Sequence, residues 1–394
     1  MTNSKIKFAL FALATTFFAV GVTEFISVGV LPAVAQEFHL STSIAGLITT
    51  IYALGVALGA PVLTLITSNF NKKKVISGAL LIFVIGHLLI ATAPNFILVL
   101  IGRFVAGAAH GLLFALSSII AAELVGESKQ ASAIAFIFSG FTIATALGAP
   151  LGTSISNFVS WRVPFFIIAV LGIIALFMNA YVLPNKHDQQ KLNLQSQLKI
   201  FKNSHILLTL LVTILGYGGT FATFTYLSPI LEKITHVQIN YISLILIIYG
   251  VAIAIGNSLG GKFGDKDPLR SLFFIFLLQT LALFSFYFTA NNIITAILNI
   301  IVLGLLAFMS VPILQSYILI LAKNYTPKSI DIASSLNISS FSFGIVLGSF
   351  VGGQIIDYYG LANTALAAGV LVVLALLLML IEFKLEKNRK KNIA

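Results

Sequence analysis

One carboxylate stands inside an apolar stretch long enough to cross a membrane. Residues 8–31 read FALFALATTFFAVGVTEFISVGVL, and Glu24 has apolar residues on both sides. An ionisable side chain at the centre of a bilayer costs about 2.5–3.5 kcal/mol on insertion scales, so such residues usually belong to functional sites. A carboxyl group there can bind and release a proton as its exposure changes. We predict that Glu24 takes part in proton coupling; the alternative is a permanently paired structural carboxylate.

Arg103 and His110 are the polar residues most suited to act with Glu24. Arg103 and Glu24 each lie about seven residues from the outer end of their apolar runs, so both are roughly 10 Å below the outer membrane boundary. They could pair if their helices are neighbours, or Arg103 could extend outward to the lipid headgroups. His110 follows Arg103 by two helical turns on the same face, where it could relay protons or simply pack. His87 has no such companion, and we interpret it as structural.

The composition excludes a soluble protein. Of 394 residues, 58% are hydrophobic and 9% are charged, whereas soluble domains carry about 25% charged residues. The chain has no Cys, which rules out disulfides and thiolate metal sites. Of twelve Asp and Glu residues, Glu24 alone lies well inside a predicted span, and Asp331, Asp357 and Glu382 lie at span ends. We expect no metal, no cofactor and no catalytic residue.

Apolar segments of about 20 residues, enough to span a bilayer, recur with short polar breaks. They lie at 8–31, 42–66, 75–93, 96–122, 131–154, 163–184, 206–229, 241–261, 270–290, 293–321, 331–356 and 361–383. The first resembles a secretory signal, but its length and Glu24 favour an uncleaved span. We predict an all-α polytopic membrane protein of twelve transmembrane helices, with a six-helix bundle in 1–184, a cytoplasmic linker in 185–205 and a second bundle in 206–394.

The basic residues predict the orientation. If the N-terminus is cytoplasmic, all but three of the 23 Lys and Arg residues lie inside; Arg162 and Lys233 lie outside, and Arg103 lies within a span. This asymmetry follows the positive-inside rule. The net charge of +11 is therefore a topology signal, and we expect no nucleic-acid partner. Both termini are predicted to be cytoplasmic.

The two halves resemble parallel repeats. A shift of 197 residues superposes Pro32 on Pro229, Tyr52 on Tyr249, Gly59 on Gly256 and Gly107 on Gly304. Such repeats are typical of transporters that rock around a central site. The same shift places Glu24 on Phe221 and Arg103 on Ile300. We therefore expect the ionisable groups within the membrane to belong to the first half alone.

Three segments predict moving parts. Gly148, Pro150 and Gly152 combine a proline kink with glycines in the fifth span, which suggests a bend used in gating. The run 216–219, Gly-Tyr-Gly-Gly, suggests a flexible half-helix in the seventh span. The loop 261–270 places charges of both signs between two spans. Its Asp265, Lys266 and Arg270 could latch helix ends together.

These motifs together resemble the major facilitator superfamily over essentially the whole chain. Within its twelve-span drug:proton antiporter branch, the chain is most similar to the arabinose/chloramphenicol/purine efflux group. The matching stretches are 21–38, 48–67, 102–111, 138–156, 224–231, 256–265 and 334–353. The resemblance assigns Arg103 and Gly107 to the span-four motif, 148–152 to the span-five antiporter motif, and 265–270 to the second charged loop. In the first charged loop, Ser68 and Asn71 replace the usual acid and glycine, so we expect the second loop to hold the gate.

The resemblance implies a monomer in the bacterial cytoplasmic membrane that exchanges protons for a small organic substrate such as a drug, sugar or nucleobase. The alternative is a facilitator or proton symporter that imports a sugar or nucleoside. A membrane-embedded enzyme is not supported, because the Asp and Glu residues do not form the cluster that it would need. Glu24, Arg103 and His110 are the proton-coupling candidates. The substrate candidates, near the membrane midplane, are Tyr52, Phe114, Tyr217, Phe221, Phe224, Tyr249, Asn257, Gln315, Asn337 and Phe341.

Overall fold

The protein is a set of long helices with short connections. The computed structural model describes residues 3–40, 42–45, 47–185 and 199–393, and no strand occurs among them. The long helices are α1 (Asn3–Glu37), α2 (Leu47–Thr67), α3 (Lys72–Thr92), α4 (Phe96–Leu124), α5 (Gln130–Phe158), α6 (Val163–Val182), α7 (Ser204–Phe224), α8 (Ile239–Lys266), α9 (Pro268–Thr289), α10 (Ile293–Tyr325), α11 (Ile330–Tyr359) and α12 (Thr364–Ile393). In the described ranges, twelve helical segments are long and apolar enough to cross a membrane. The predicted all-α, twelve-span fold is confirmed.

Short polar side chains set where several helices begin. The first turn of a helix has main-chain N–H groups without intrahelical partners, and Asn or Asp can accept from them. Asn71 Oδ1 accepts from Lys73 N at 2.9 Å before α3, and Asn95 does so for α4. Asn203, Asp267 and Asn292 serve α7, α9 and α10 in the same way. The polar breaks in the sequence are therefore caps as well as interruptions of hydropathy.

The first compact unit comprises Met1–Gln197 with Ile330–Ser339. Within it, α1 packs against α5 and α6, α2 against α4, and α3 against α4 and α6. Glycines allow the closest approaches: a Cβ added to Gly107 would lie 2.3 Å from the carbonyl oxygen of Tyr52. A Cβ on Gly59 would lie 2.3 Å from Cα of Ala108. These contacts hold α2 directly against α4.

The second unit comprises Leu198–Ser329 with Ser340–Ala394. Within it, α7 packs against α12, α8 against α10, and α9 against α10 and α12. The repeat predicted at 197 residues reappears as repeated contacts, because Gly304 faces Tyr249 as Gly107 faces Tyr52. Likewise Gly256 faces Leu305 as Gly59 faces Ala108. Most of the predicted linker 185–205 lies outside the described residues, and the division at that linker stays a prediction.

Two predicted flexible segments are continuous helix. The helix α7 runs through the glycines at 216–219 and ends at Phe224, and a short helix, Leu227–Lys233, follows it. Gly216 faces the ring of Phe276, and Gly219 faces Val372. The expectation of a half-helix at these glycines was wrong, because they serve close packing. The helix α5 also continues through 148–152; Gly152 faces Ile26, and the side chain of Pro150 lies outside the described part of the chain.

Candidate functional site

A buried arginine organises the interior of the first unit. Arg103 lies on α4 and is 0% exposed. Its Nε donates to the carbonyl oxygen of Ile48 at 2.8 Å, and one terminal nitrogen donates to the carbonyl and hydroxyl oxygens of Thr23, both at 3.1 Å. Its Cζ lies 4.0 Å from the ring centre of Tyr52, a cation–π contact. The other terminal nitrogen has no hydrogen-bond partner among the described residues.

Thr23 connects this arginine to a histidine on α3. The Nδ1 atom of His87 lies 2.7 Å from the carbonyl oxygen of Phe83, and its Nε2 lies 2.6 Å from the Thr23 hydroxyl. A carbonyl only accepts, so Nδ1 carries the hydrogen, and Nε2 of a neutral ring accepts from Thr23. The hydrogen bonds thus run in one direction from Arg103 through Thr23 and His87 to Phe83. The sequence reading had left His87 out of the site.

Glu24 lies next to this network without joining it. Its side chain is partly exposed, and it makes no hydrogen bond or ion pair with any residue in the described ranges. Arg103 and Tyr52 are close enough to interact with it through space. The predicted Glu24–Arg103 ion pair is not formed here, because the arginine is held by Ile48 and Thr23 instead. Among the residues whose side chains are described, neither the Glu24 carboxylate nor one guanidinium nitrogen of Arg103 has a hydrogen-bond partner.

The predicted pocket residues of the first unit are in mutual contact. The Tyr52 hydroxyl lies 2.9 Å from Nδ1 of His110. The His110 ring meets Phe114 edge-on with centroids 4.2 Å apart, and Phe114 stacks on Phe17 at 3.8 Å. The side chains of Tyr52, His110 and Phe114 are all buried. Tyr52 links this packed cluster to Arg103 through its ring.

The predicted aromatic residues of the second unit also form one cluster. Tyr217 lies with its ring centroid 4.9 Å from Phe221 and 5.0 Å from Phe341. Phe224 stacks on Tyr249 at 5.0 Å. Phe221 and Phe224 are partly exposed, whereas the other three are buried. The three predicted amides, Asn257, Gln315 and Asn337, are each 0% exposed and belong to the packed interior.

In the second unit, a small cavity lies at the position that corresponds to Arg103 of the first unit. Thr220, the repeat mate of Thr23, accepts from Gln279 Nε2 of α9 at 2.8 Å, much as Thr23 meets His87 of α3. Ile300 stands at the Arg103 position, and a cavity of about 20 Å³ lined by Thr220, Tyr249, Gln279 and Ile300 lies there. Isoleucine is shorter than arginine and cannot fill the space. Both units therefore have the hydrogen-bonded threonine, but only the first has the charged residue.

The predicted gate residues behave differently in the two charged loops. In the second loop, Arg270 pairs with Asp267 at 3.3 Å, and both are exposed. In the first, Lys72 pairs with Glu123 at 2.7 Å and with Asp331 at 3.5 Å. The sequence analysis expects the second loop to hold the gate, and it does not foresee this cluster because its acids come from α4 and α11.

A second ionic cluster lies beyond the predicted outer end of the first span. Arg162 donates to both carboxylate oxygens of Glu37, at 2.5 and 2.6 Å, and to the carbonyl oxygen of Ala93 at 2.9 Å. Trp161 Nε1 also donates to Glu37. The Arg162 hydrogen bond, with a smaller contribution from Trp161, holds the pKa of Glu37 below its ordinary value. This cluster joins the end of α1 to the α3–α4 and α5–α6 connections.

Buried ionisable groups are not confined to the first half. Glu382 of α12 is 2% exposed, and its Oε1 lies 2.8 Å from Nδ1 of His205. The sequence analysis places Glu382 at a span end, so the expectation that the ionisable groups within the membrane belong to the first half alone stays a prediction. Within the described residues, no group of three or more His, Asp and Glu side chains could hold a metal.

Comparison with known proteins identifies the fold and the relatives. Residues 13–322 match the sequence profile of the Major Facilitator Superfamily. The MFS-type transporter YtbD of Bacillus subtilis is 44% identical over 371 residues, which cover 94% of each chain. The inner membrane transport protein YdhP of Escherichia coli is 34% identical over 376 residues, covering 95% of this chain and 96% of YdhP. The solved structure of the proton:xylose symporter XylE has a TM-score of 0.81 at 15% identity, covering 96% of both chains.

Proposed function

The chain belongs to the major facilitator superfamily, as its resemblance predicted, and we propose that it exports a small organic substrate in exchange for protons. Its relatives are transporters and not enzymes, so the protein is a multi-pass cytoplasmic-membrane transporter of small molecules. Direction, coupling ion and substrate are the proposed part. We further propose that it works as a monomer with both termini in the cytoplasm.

The observation that carries the proposal is the unpaired carboxylate of Glu24 beside an immobilised arginine. Within the described residues Glu24 has no hydrogen bond or ion pair, while Arg103 keeps one free nitrogen. In a membrane-spanning helix a charged carboxylate is unfavourable unless it is paired or hydrated, and otherwise the group takes up a proton. Glu24 is therefore suited to alternate between a protonated form and a charged form that pairs with Arg103. Tyr52 contacts Arg103 through its ring and His110 through its hydroxyl, so both residues adjoin this site.

The substrate in this proposal is neutral or cationic and partly apolar. A single carboxylate in the membrane attracts cations and hydrogen-bond donors more than anions. Phe221 and Phe224 stay predicted substrate residues, and their rings, 5.6 Å apart, are partly exposed. Substrate and proton would compete for Glu24, so that release of one allows binding of the other. Alternating access of the transporter then exchanges them across the membrane.

Glu24→Gln tests this proposal, because glutamine keeps the size and removes the titratable group. In proteoliposomes with a pH gradient, we expect the variant to lose uphill substrate movement while substrate counterflow without a gradient persists. Glu232→Gln is the matched control, since Glu232 is an exposed glutamate on the short helix Leu227–Lys233. Gradient-driven transport by Glu24→Gln at the wild-type rate would refute the role of Glu24.

The direction of coupling separates export from import. With substrate on both sides of the membrane, a proton gradient drives substrate against the proton flow in an antiporter and with it in a symporter. A facilitator would show equal counterflow with and without the gradient. We expect antiport, and movement of substrate together with protons would replace the proposal by the importing alternative.

A further inference from the structure

A second buried carboxylate lies within the second unit, far along the chain from Glu24. Glu382 of α12 accepts at Oε1 from the Tyr317 hydroxyl at 2.9 Å and lies 2.8 Å from Nδ1 of His205. The other nitrogen of His205, Nε2, lies 3.0 Å from the Tyr325 hydroxyl, and the two rings stack at 4.5 Å. Oε2 of Glu382 has no hydrogen-bond partner among the described residues. The proposed function uses none of these four side chains.

The hydrogen bonds of this cluster allow two proton counts. With neutral His205, Nδ1–H donates to Glu382 and Nε2 accepts from Tyr325, which leaves one uncompensated negative charge. With one more proton, Nε2–H donates to the Tyr325 oxygen, and an imidazolium faces a carboxylate. Burying an uncompensated charge is strongly unfavourable, whereas a hydrogen-bonded pair is tolerated. Histidine is the side chain that exchanges protons near neutral pH.

The surroundings contribute few other charges. On α12, Glu386 lies one turn beyond Glu382 and acts on the Tyr317 hydroxyl through space, and Lys384 is exposed. On α10, the neighbouring charge is the exposed Lys323. The turn Lys199–Lys202 packs against α7 and brings Lys202, also exposed. The only ionisable side chains of α9 are Tyr287 and Arg270, and Arg270 pairs with Asp267. No described cation forms a salt bridge with Glu382 other than His205.

We propose that His205 and Glu382 form a proton-binding site at the end of the second unit that is predicted to be cytoplasmic. The bound proton completes an ion pair that joins the start of α7 to α12. Tyr325 of α10 orients the His205 ring in this pair. Loss of the proton leaves a buried negative charge and weakens this junction. The site goes beyond the proposed function, because it binds its proton whether or not Glu24 couples transport. It makes the junction of α7 and α12 sensitive to the pH on that side.

Nuclear magnetic resonance of the full-length protein with labelled histidines tests the site directly. The chain has six histidines, and His205→Asn identifies the His205 signals by their disappearance. We expect the His205 ring to carry hydrogens on both nitrogens while the pair with Glu382 is formed, and on one nitrogen once the bound proton is lost. In Glu382→Gln its proton affinity should fall by at least about tenfold, since a neighbouring opposite charge stabilises the protonated form. A ring that stays neutral throughout, or an affinity unchanged in Glu382→Gln, would overturn the proposal.

Thermal unfolding provides a second measurement that does not depend on signal assignment. The proton-completed pair stabilises the folded protein at low pH, and this contribution is lost as the pH rises. The unfolding constants of wild type and His205→Asn should therefore diverge, by up to about tenfold per pH unit, as the pH falls from 8 to 6. His236→Asn is the control, because His236 is exposed and asparagine tolerates its φ of 57°. A constant difference across that range contradicts a bound proton. Glu24→Gln should leave both results unchanged, which separates this test from that of the proposed function.

Discussion

Arg103 and Thr23 are joined twice, since one guanidinium nitrogen donates to both the carbonyl and the hydroxyl oxygen of the threonine. The arginine is therefore anchored to the main chain of α1 immediately before Glu24. Its position does not depend on a carboxylate partner. In the proposed mechanism, Glu24 changes its protonation while the cation beside it stays in place.

Replacing Thr23 by valine should weaken the first unit. The change removes the hydroxyl that accepts from Arg103 and donates to His87, and it leaves buried polar groups unsatisfied. Such a loss lowers the free energy of unfolding by about 1–3 kcal/mol. Unfolding of the protein in a titration with a denaturing detergent measures the change. Thr15→Val is the control on the same helix, because the Thr15 hydroxyl bonds only to the Phe11 carbonyl oxygen of its own turn. Equal stability of Thr23→Val and wild type would contradict the network.

Three glycine-to-alanine changes should rank in a definite order. The added Cβ would lie 2.3 Å from the Tyr52 oxygen in Gly107→Ala, and 2.9 Å from Ala252 Cβ in Gly304→Ala. Overpacking of this kind costs about 1–3 kcal/mol, with the larger loss expected at Gly107. Gly78 is the control: a Cβ there meets nothing within 4 Å, so alanine should stabilise α3 by up to about 1 kcal/mol. Melting temperatures test the order, and a neutral Gly107→Ala would show that the two helices are not held this closely.

Lys72 and Asp331 should show measurable energetic coupling. Their 3.5 Å ion pair is only partly exposed and shares Lys72 with Glu123. A double-mutant cycle of Lys72→Gln and Asp331→Asn should give a coupling of up to about 1 kcal/mol that shrinks at high salt. Lys74→Gln, an exposed change on the same helix turn, should show no coupling to Asp331→Asn. Additive effects of the first pair would mean that the ion pair does not contribute.

The Glu37–Arg162 cluster predicts an acid-dependent stability. Because Arg162 lowers the Glu37 pKa below its ordinary 4.5, the pair stabilises the folded protein above that value. The contribution is lost as the pH falls through the lowered pKa. At pH 7, Glu37→Gln should therefore lower the free energy of unfolding by less than about 1 kcal/mol, since both groups are partly exposed. Well below pH 4, the variant and the wild type should be equally stable. Melting curves of both proteins at the two pH values test this. A difference in melting temperature that grows at low pH would contradict the prediction.

The sequence was sufficient for the twelve spans and the family, because both depend on local properties. A bilayer demands about 20 apolar residues per helix, and the polar breaks that separate the runs include cap residues such as Asn71 and Asn95. The repeat was also readable, since Tyr52 and Gly107 recur as Tyr249 and Gly304 at one offset and meet each other in both units. The matched depth of Glu24 and Arg103 in the membrane, inferred from helix rise, stays a prediction.

The partners of the buried groups were decided only by the tertiary structure. Which face of each helix turns toward a neighbour determined that Arg103 meets Ile48 and Thr23, and that Glu382 turns inward to His205 although it lies near a span end. The glycines at 216–219 looked like a hinge and are packing contacts for the same reason. Hydropathy predicts how deep a residue lies in the membrane, because the transfer free energy of its side chain depends on depth. Rotation about the helix axis depends on contacts between distant segments, which one sequence does not display.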